Sequence, residues 1–124
     1  MKYELDCSEY KVVVQAIMDS EDPGNGDRVL GTKEIVYPLR ENICAWLRTG
    51  GIFRSGEDIA EAVTLAKAIR DGKDAVAVLD EREAALLKTC LNKLIELTAD
   101  GKANLGGEIH ENAICRIFGM KEIK

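Results

Sequence analysis

The segment Arg48-Thr49-Gly50-Gly51-Ile52-Phe53-Arg54-Ser55-Gly56 gathers two arginines and three glycines just ahead of a helix start. Free backbone donors at a helix N-terminus can hold a phosphate, and guanidinium groups add charge and donors. Glu57 and Asp58 stand in the first turn, where they repel an anion, and no Lys follows the glycines as a phosphate loop requires. Trp46 precedes this stretch and Phe53 lies within it. Aromatic and arginine side chains are favoured anchors at protein interfaces. Trp46, Arg48, Phe53 and Arg54 are therefore the candidate interaction surface. Anion or nucleotide binding through Arg48 and Arg54 is the competing reading.

Other groupings carry less chemistry. The chain has one histidine, His110, and four cysteines, Cys7, Cys44, Cys90 and Cys115. Cys7, at the first position of an expected helix, would gain thiolate character there, but Asp6 and Glu9 oppose that charge. His110, Glu111 and Cys115 do not share one helical face, so they form a poor ligand set, and His110 reads as a surface residue. Cys44 and Cys90 sit among apolar neighbours and read as small core residues. The acidic run Asp19 to Asp27 resembles a calcium loop only superficially. Placing Gly26 at the loop's glycine puts Pro23 at a ligand position and Thr32 where a closing Glu belongs. Close-spaced carboxylates (Glu4 with Asp6, Asp71 with Asp74, Asp80 with Glu81) mostly mark helix starts or loops. No nucleophile elbow, dinucleotide fingerprint or zinc-protease motif occurs. The expectation is a chain without metal, cofactor or catalytic set.

Composition narrows the class. In 124 residues, 46% are hydrophobic and 31% charged, which suits one folded domain. The net charge of −5 argues against a generic nucleic-acid binder. The longest wholly apolar run, Ala75 to Leu79, is far shorter than the roughly 20 residues a membrane-spanning helix needs. Acidic residues near Met1 replace the apolar stretch of a secretion signal. These features predict a soluble, cytoplasmic protein with reduced thiols.

A strand-to-helix start occurs twice. Leu5-Asp6-Cys7-Ser8-Glu9 and Leu79-Asp80-Glu81-Arg82-Glu83 both place a Glu three residues after an Asp, the spacing of a capping box. The spacing predicts helices over 8–19 and 81–98. In the first, Leu5 would staple onto Tyr10, although the run Val12-Val13-Val14 also suits a strand. In the second, Leu86, Leu87, Cys90, Leu91, Leu94, Ile95 and Leu97 spread over half the circumference. That width demands several neighbours or a second subunit. Three identities in the two segments reflect shared capping rules rather than an internal duplication.

Helices are also expected over 38–48, ended by Gly50-Gly51, and over 55–71, capped by Ser55 and ended at Gly72. Residues 108–118 form a last helix or a strand. Strands are expected over 2–6, 32–37 and 75–79. The unbroken run Ala75-Val76-Ala77-Val78-Leu79 reads as a central strand covered on both faces. Helix 55–71 leaves room for a parallel crossover. The fold class is α+β: a helix-dominated single domain over 1–119, with four to five helices around a small sheet of about three strands. Residues 120–124 read as a short mobile tail. The function these features favour is a non-catalytic interaction or assembly module that associates with itself, a homo-oligomer, or with a protein partner.

Overall fold

The computed structural model describes residues 1–19, 28–101, 105 and 108–123. The expected loop over 20–27, and with it the calcium-like run, lies outside them. Strands β1 (Lys2–Asp6), β2 (Lys11–Asp19) and β3 (Arg28–Val36) are followed by helices α1 (Leu39–Leu47) and α2 (Gly56–Asp71). Then come β4 (Val76–Asp80), α3 (Glu81–Ala99), a 3-10 turn (Glu108–His110), α4 (Glu111–Phe118) and β5 (Lys121–Ile123). The chain is a helix-rich α+β domain, with a three-stranded antiparallel sheet in the order β4-β1-β5 and a separate β2-β3 hairpin.

The α3 helix is the centre of the core. Asp80 accepts from the Glu83 backbone N–H at 2.8 Å, and the Glu83 carboxylate accepts from the Asp80 N–H at 3.0 Å, a complete capping box. Ala84, Leu86, Leu87, Cys90, Leu91 and Leu94 are buried against the other helices, β1 and β4. The wide apolar stripe is thus covered largely within the chain, and of its expected members only Ile95 is exposed. The Ser55 hydroxyl caps α2 by accepting from the Asp58 N–H at 3.1 Å. Past α1, Gly51 takes a φ of +83°, a left-handed conformation that favours glycine. Residues 108–118 resolve into the 3-10 turn and α4, which Gly119 ends.

Four expectations are corrected. Residues 11–19 form a strand, not part of a helix: β2 pairs with β3 from Lys11↔Val36 to Asp19↔Arg28. The β-branched Val12-Val13-Val14 run suits that ladder, and Tyr10 extends it by accepting from the Tyr37 N–H at 2.9 Å. Strand β4 lies at a sheet edge, not at its centre, and Val76 and Val78 are exposed. Their cross-strand neighbours on β1 are Asp6 and Glu4, so the outer face of the sheet is built to meet water. No parallel crossover forms, because β3 and β4 belong to different sheets. Finally, Lys121–Ile123 is not a loose tail but an edge strand on β1, with Met120 buried ahead of it.

Candidate functional site

Trp46 sits in the last turn of α1, which buries Leu39, Ile43, Cys44 and Leu47. Its indole is half-buried and meets the His110 ring edge-on, with centroids 5.8 Å apart. The Trp46 carbonyl accepts from the Cys90 thiol at 3.1 Å, tying this turn to α3. Phe53 is half-buried against the core beside buried Ile52. Arg48 and Arg54 are exposed, and neither forms an ion pair or side-chain hydrogen bond among the described residues. The predicted surface therefore has two layers: aromatic side chains anchored from below, and two guanidinium groups in solvent without carboxylate partners among the described residues.

Sequence pattern gave no sign of what anchors Trp46. His110 is not a surface residue but the hub of an aromatic cluster. Its Nδ1 lies 2.6 Å from the Tyr37 hydroxyl, and the two rings meet edge-on. Burial lowers the His110 pKa, favouring a neutral ring. In the neutral tautomer with its proton on Nε2, Nδ1 accepts from the Tyr37 hydroxyl. Tyr37 stacks on Tyr10 with centroids 5.1 Å apart. Burial raises the Tyr37 pKa, with Asn42 opposing the rise, and pushes Tyr10 to about 12. The Tyr10 hydroxyl approaches the Ala113 backbone without hydrogen-bond geometry of ordinary quality. The cluster joins the hairpin, α1 and the 3-10 turn.

Two other arginines organise the backbone. The Arg116 guanidinium lies over the Tyr10 ring at 4.4 Å and donates to the carbonyls of Ser8 and Asp6 at 2.8 and 3.2 Å. It thereby clamps the turn between β1 and β2. Arg40 donates to the Ile69 carbonyl at 2.9 Å and to the Asp74 carbonyl, closing the C-terminal end of α2. A methyl group on Gly72 would stand 2.6 Å from Arg40 Nη1, so this position leaves room for the guanidinium. Partners 29 to 110 residues apart leave no mark on local sequence pattern.

No family model, curated protein or solved structure matches the chain.

The remaining candidates stay apart. Cys7, Cys44 and Cys90 are buried free thiols, and Cys115 is an exposed one. Burial raises the pKa of Cys7 and pushes that of Cys90 to about 12, the reverse of what a reactive thiolate needs. Among the described residues no three of His, Cys, Asp and Glu are grouped to hold a metal ion. None of the five principal cavities there is lined by Arg48 or Arg54. No described helix is long and apolar enough to cross a membrane.

Proposed function

We propose that the chain is a non-catalytic interaction module that assembles with itself or with another protein through Trp46, Arg48, Phe53 and Arg54. One observation carries this reading: two exposed arginines without carboxylate partners among the described residues accompany two half-buried aromatics at the end of α1 and on the α1–α2 connection. An arginine already engaged by a carboxylate has to exchange one partner for another, whereas these two are ready to meet one. A reducing, cytoplasmic setting suits four free thiols, three of them buried.

Self-association has lost one of its supports, since the α3 stripe is covered within the chain. It now depends on the Trp46 surface alone. Sedimentation velocity at micromolar concentration tests it. The expected result is an oligomer that the double variant Arg48→Glu/Arg54→Glu disperses without changing the circular dichroism spectrum. A clean monomer removes self-association and leaves a different protein as the partner. Titration calorimetry with inorganic phosphate and with a nucleoside triphosphate separates the competing reading. Binding lost in the same double variant would replace the interaction proposal with an anion site.

A further inference from the structure

The free edge of β4 offers a second surface, independent of Trp46. The Cys7 N–H donates to the Ala75 carbonyl at 2.7 Å, which marks 7/75 as a bonded pair of the antiparallel ladder. Bonded and non-bonded pairs alternate, so Leu5/Ala77 and Tyr3/Leu79 are bonded as well. Val76, Val78 and Asp80 therefore turn their N–H and C=O groups away from β1. Among the described residues no strand lies on that side. The Asp80 N–H is taken by the Glu83 carboxylate, which leaves the N–H and C=O of Val76 and Val78 without backbone partners there.

Beside this edge runs a groove of about 290 Å³, walled on its far side by Leu65, Ala68 and Ile69 of α2. The α2 helix packs mainly on α1 and α3 rather than on β4, which is why the gap exists. Its two ends differ in charge. Arg40 and Lys73 outnumber Asp74 where β4 begins, and Glu83 lies where it ends. A strand added antiparallel to β4 would run from the Glu83 end to the Arg40 and Lys73 end. We propose that this groove takes an extended peptide by strand addition. The peptide has a basic residue on its N-terminal side, apolar residues at alternate positions facing α2, and an acidic residue on its C-terminal side. Main-chain bonds to Val76 and Val78 supply affinity, and the charge at the two ends supplies direction.

A second copy fits this edge less well. The register that sets Val76 of one copy opposite Val78 of the other also sets Asp74 of each against Asp80 of the other. Like charges directly opposite each other destabilise a sheet.

The test uses the full chain and two synthetic peptides, Arg-Thr-Val-Thr-Val-Thr-Glu and its charge-reversed form Glu-Thr-Val-Thr-Val-Thr-Arg, with amide exchange read by NMR. With the first peptide at millimolar concentration, exchange at the Val78 N–H should slow about tenfold, as one new backbone hydrogen bond allows. The Val76 N–H should slow with it, while the Leu87 amide stays unchanged. The charge-reversed peptide should bind several-fold more weakly. Val78→Pro deletes an outward N–H without touching the β1 ladder and should weaken binding about tenfold. Ala68→Arg fills the groove from an exposed helix position and should do the same, so a misfolded proline variant does not decide the outcome. No slowing at Val76 and Val78, equal binding of both peptides, or binding indifferent to Ala68→Arg overturns the proposal. Slowing that tracks protein concentration alone would assign the edge to a second copy instead.

Discussion

Asp6-Cys7-Ser8-Glu9 and Asp80-Glu81-Arg82-Glu83 come at the ends of strands that pair with each other, and both carry the Asp and Glu of a capping box. Only the second becomes one. After Asp80, both reciprocal bonds form and α3 runs for 19 residues. After Asp6, the carboxylate accepts from the Ser8 N–H at 2.9 Å, a local turn, and the chain returns as strand β2. The cap motif permits a helix without choosing one. The residues beyond it decide: Ala84-Ala85-Leu86-Leu87 has high helix propensity, whereas the stretch from Tyr10 to Val14 pairs with a distant strand. Arg116 then holds the Asp6 and Ser8 carbonyls in the turn.

The largest effect that sharpens this contrast lies in what each segment buries. Leu87 is fully buried, and Leu87→Ala should cost about 2–5 kcal/mol through lost apolar contact and the cavity left behind. Val12, half-buried on the hairpin, should lose only about 1 kcal/mol on change to Ala. Urea unfolding of both variants measures the ratio. Equal losses would mean that the hairpin belongs to the core as fully as α3 does. Next comes the cap itself: Asp80→Ala should cost about 0.5–2 kcal/mol, with little effect on the Trp46 surface. If Asp80→Ala left stability untouched while abolishing association, the motif would belong to function rather than to helix initiation.

Helix-bearing segments were legible because their signals are local. Ser55 and Asp80 as caps, the stripes of α1 and α3, and the stops at Gly51 and Gly119 all act within a few residues. Of the hairpin, only the second strand was legible, over 32–37; in β2 the Val12-Val13-Val14 run suits a strand without excluding a helix, and its pairing with β3 decides. That β4 is not covered on both faces does leave one trace in the sequence. Lys2, Glu4 and Asp6 alternate with Tyr3, Leu5 and Cys7 along β1, so this sheet has one wet face. A neighbouring valine-rich strand must share it. Of the candidate surface, the residue types were legible, but the support beneath Trp46 was not. His110, Tyr37 and Tyr10 converge only through the folded chain.

That aromatic support should make hairpin docking depend on pH. His110 has a pKa held below its ordinary 6.5, so its contribution is complete above pH 6.5 and is lost as pH falls through the lowered value. Tyr10 and Tyr37 have pKa values raised above 10, so their contribution is complete below pH 10 and is lost as pH rises through the raised values. Stability from this cluster therefore has a plateau between those limits. Tyr37→Phe leaves Nδ1 of His110 unpaired and should cost about 0.5–1.5 kcal/mol at pH 8. His110→Gln should flatten the acid limb below pH 6.5, as tracked by thermal unfolding. An acid limb unchanged in His110→Gln would assign it to carboxylates elsewhere.

The smallest effect tests the comparison most directly. Asp6→Ala removes an exposed bond to the Ser8 N–H and an ion pair with Arg116 at 3.6 Å. Water replaces the first, and Arg116 retains its backbone carbonyls and Asn112. The change should stay within about 0.5 kcal/mol, as for surface substitutions away from special features. The Ser8 hydrogen bond holds the Asp6 pKa below 3.8, so even this contribution is complete above that pH and is lost as pH falls through the lowered value. The small cost of Asp6→Ala should therefore shrink further as pH falls below 3.8. A loss from Asp6→Ala as large as that from Asp80→Ala would show that the first turn is as structurally committed as the second. The choice between strand and helix would then lie in the Asp as much as in the residues beyond it.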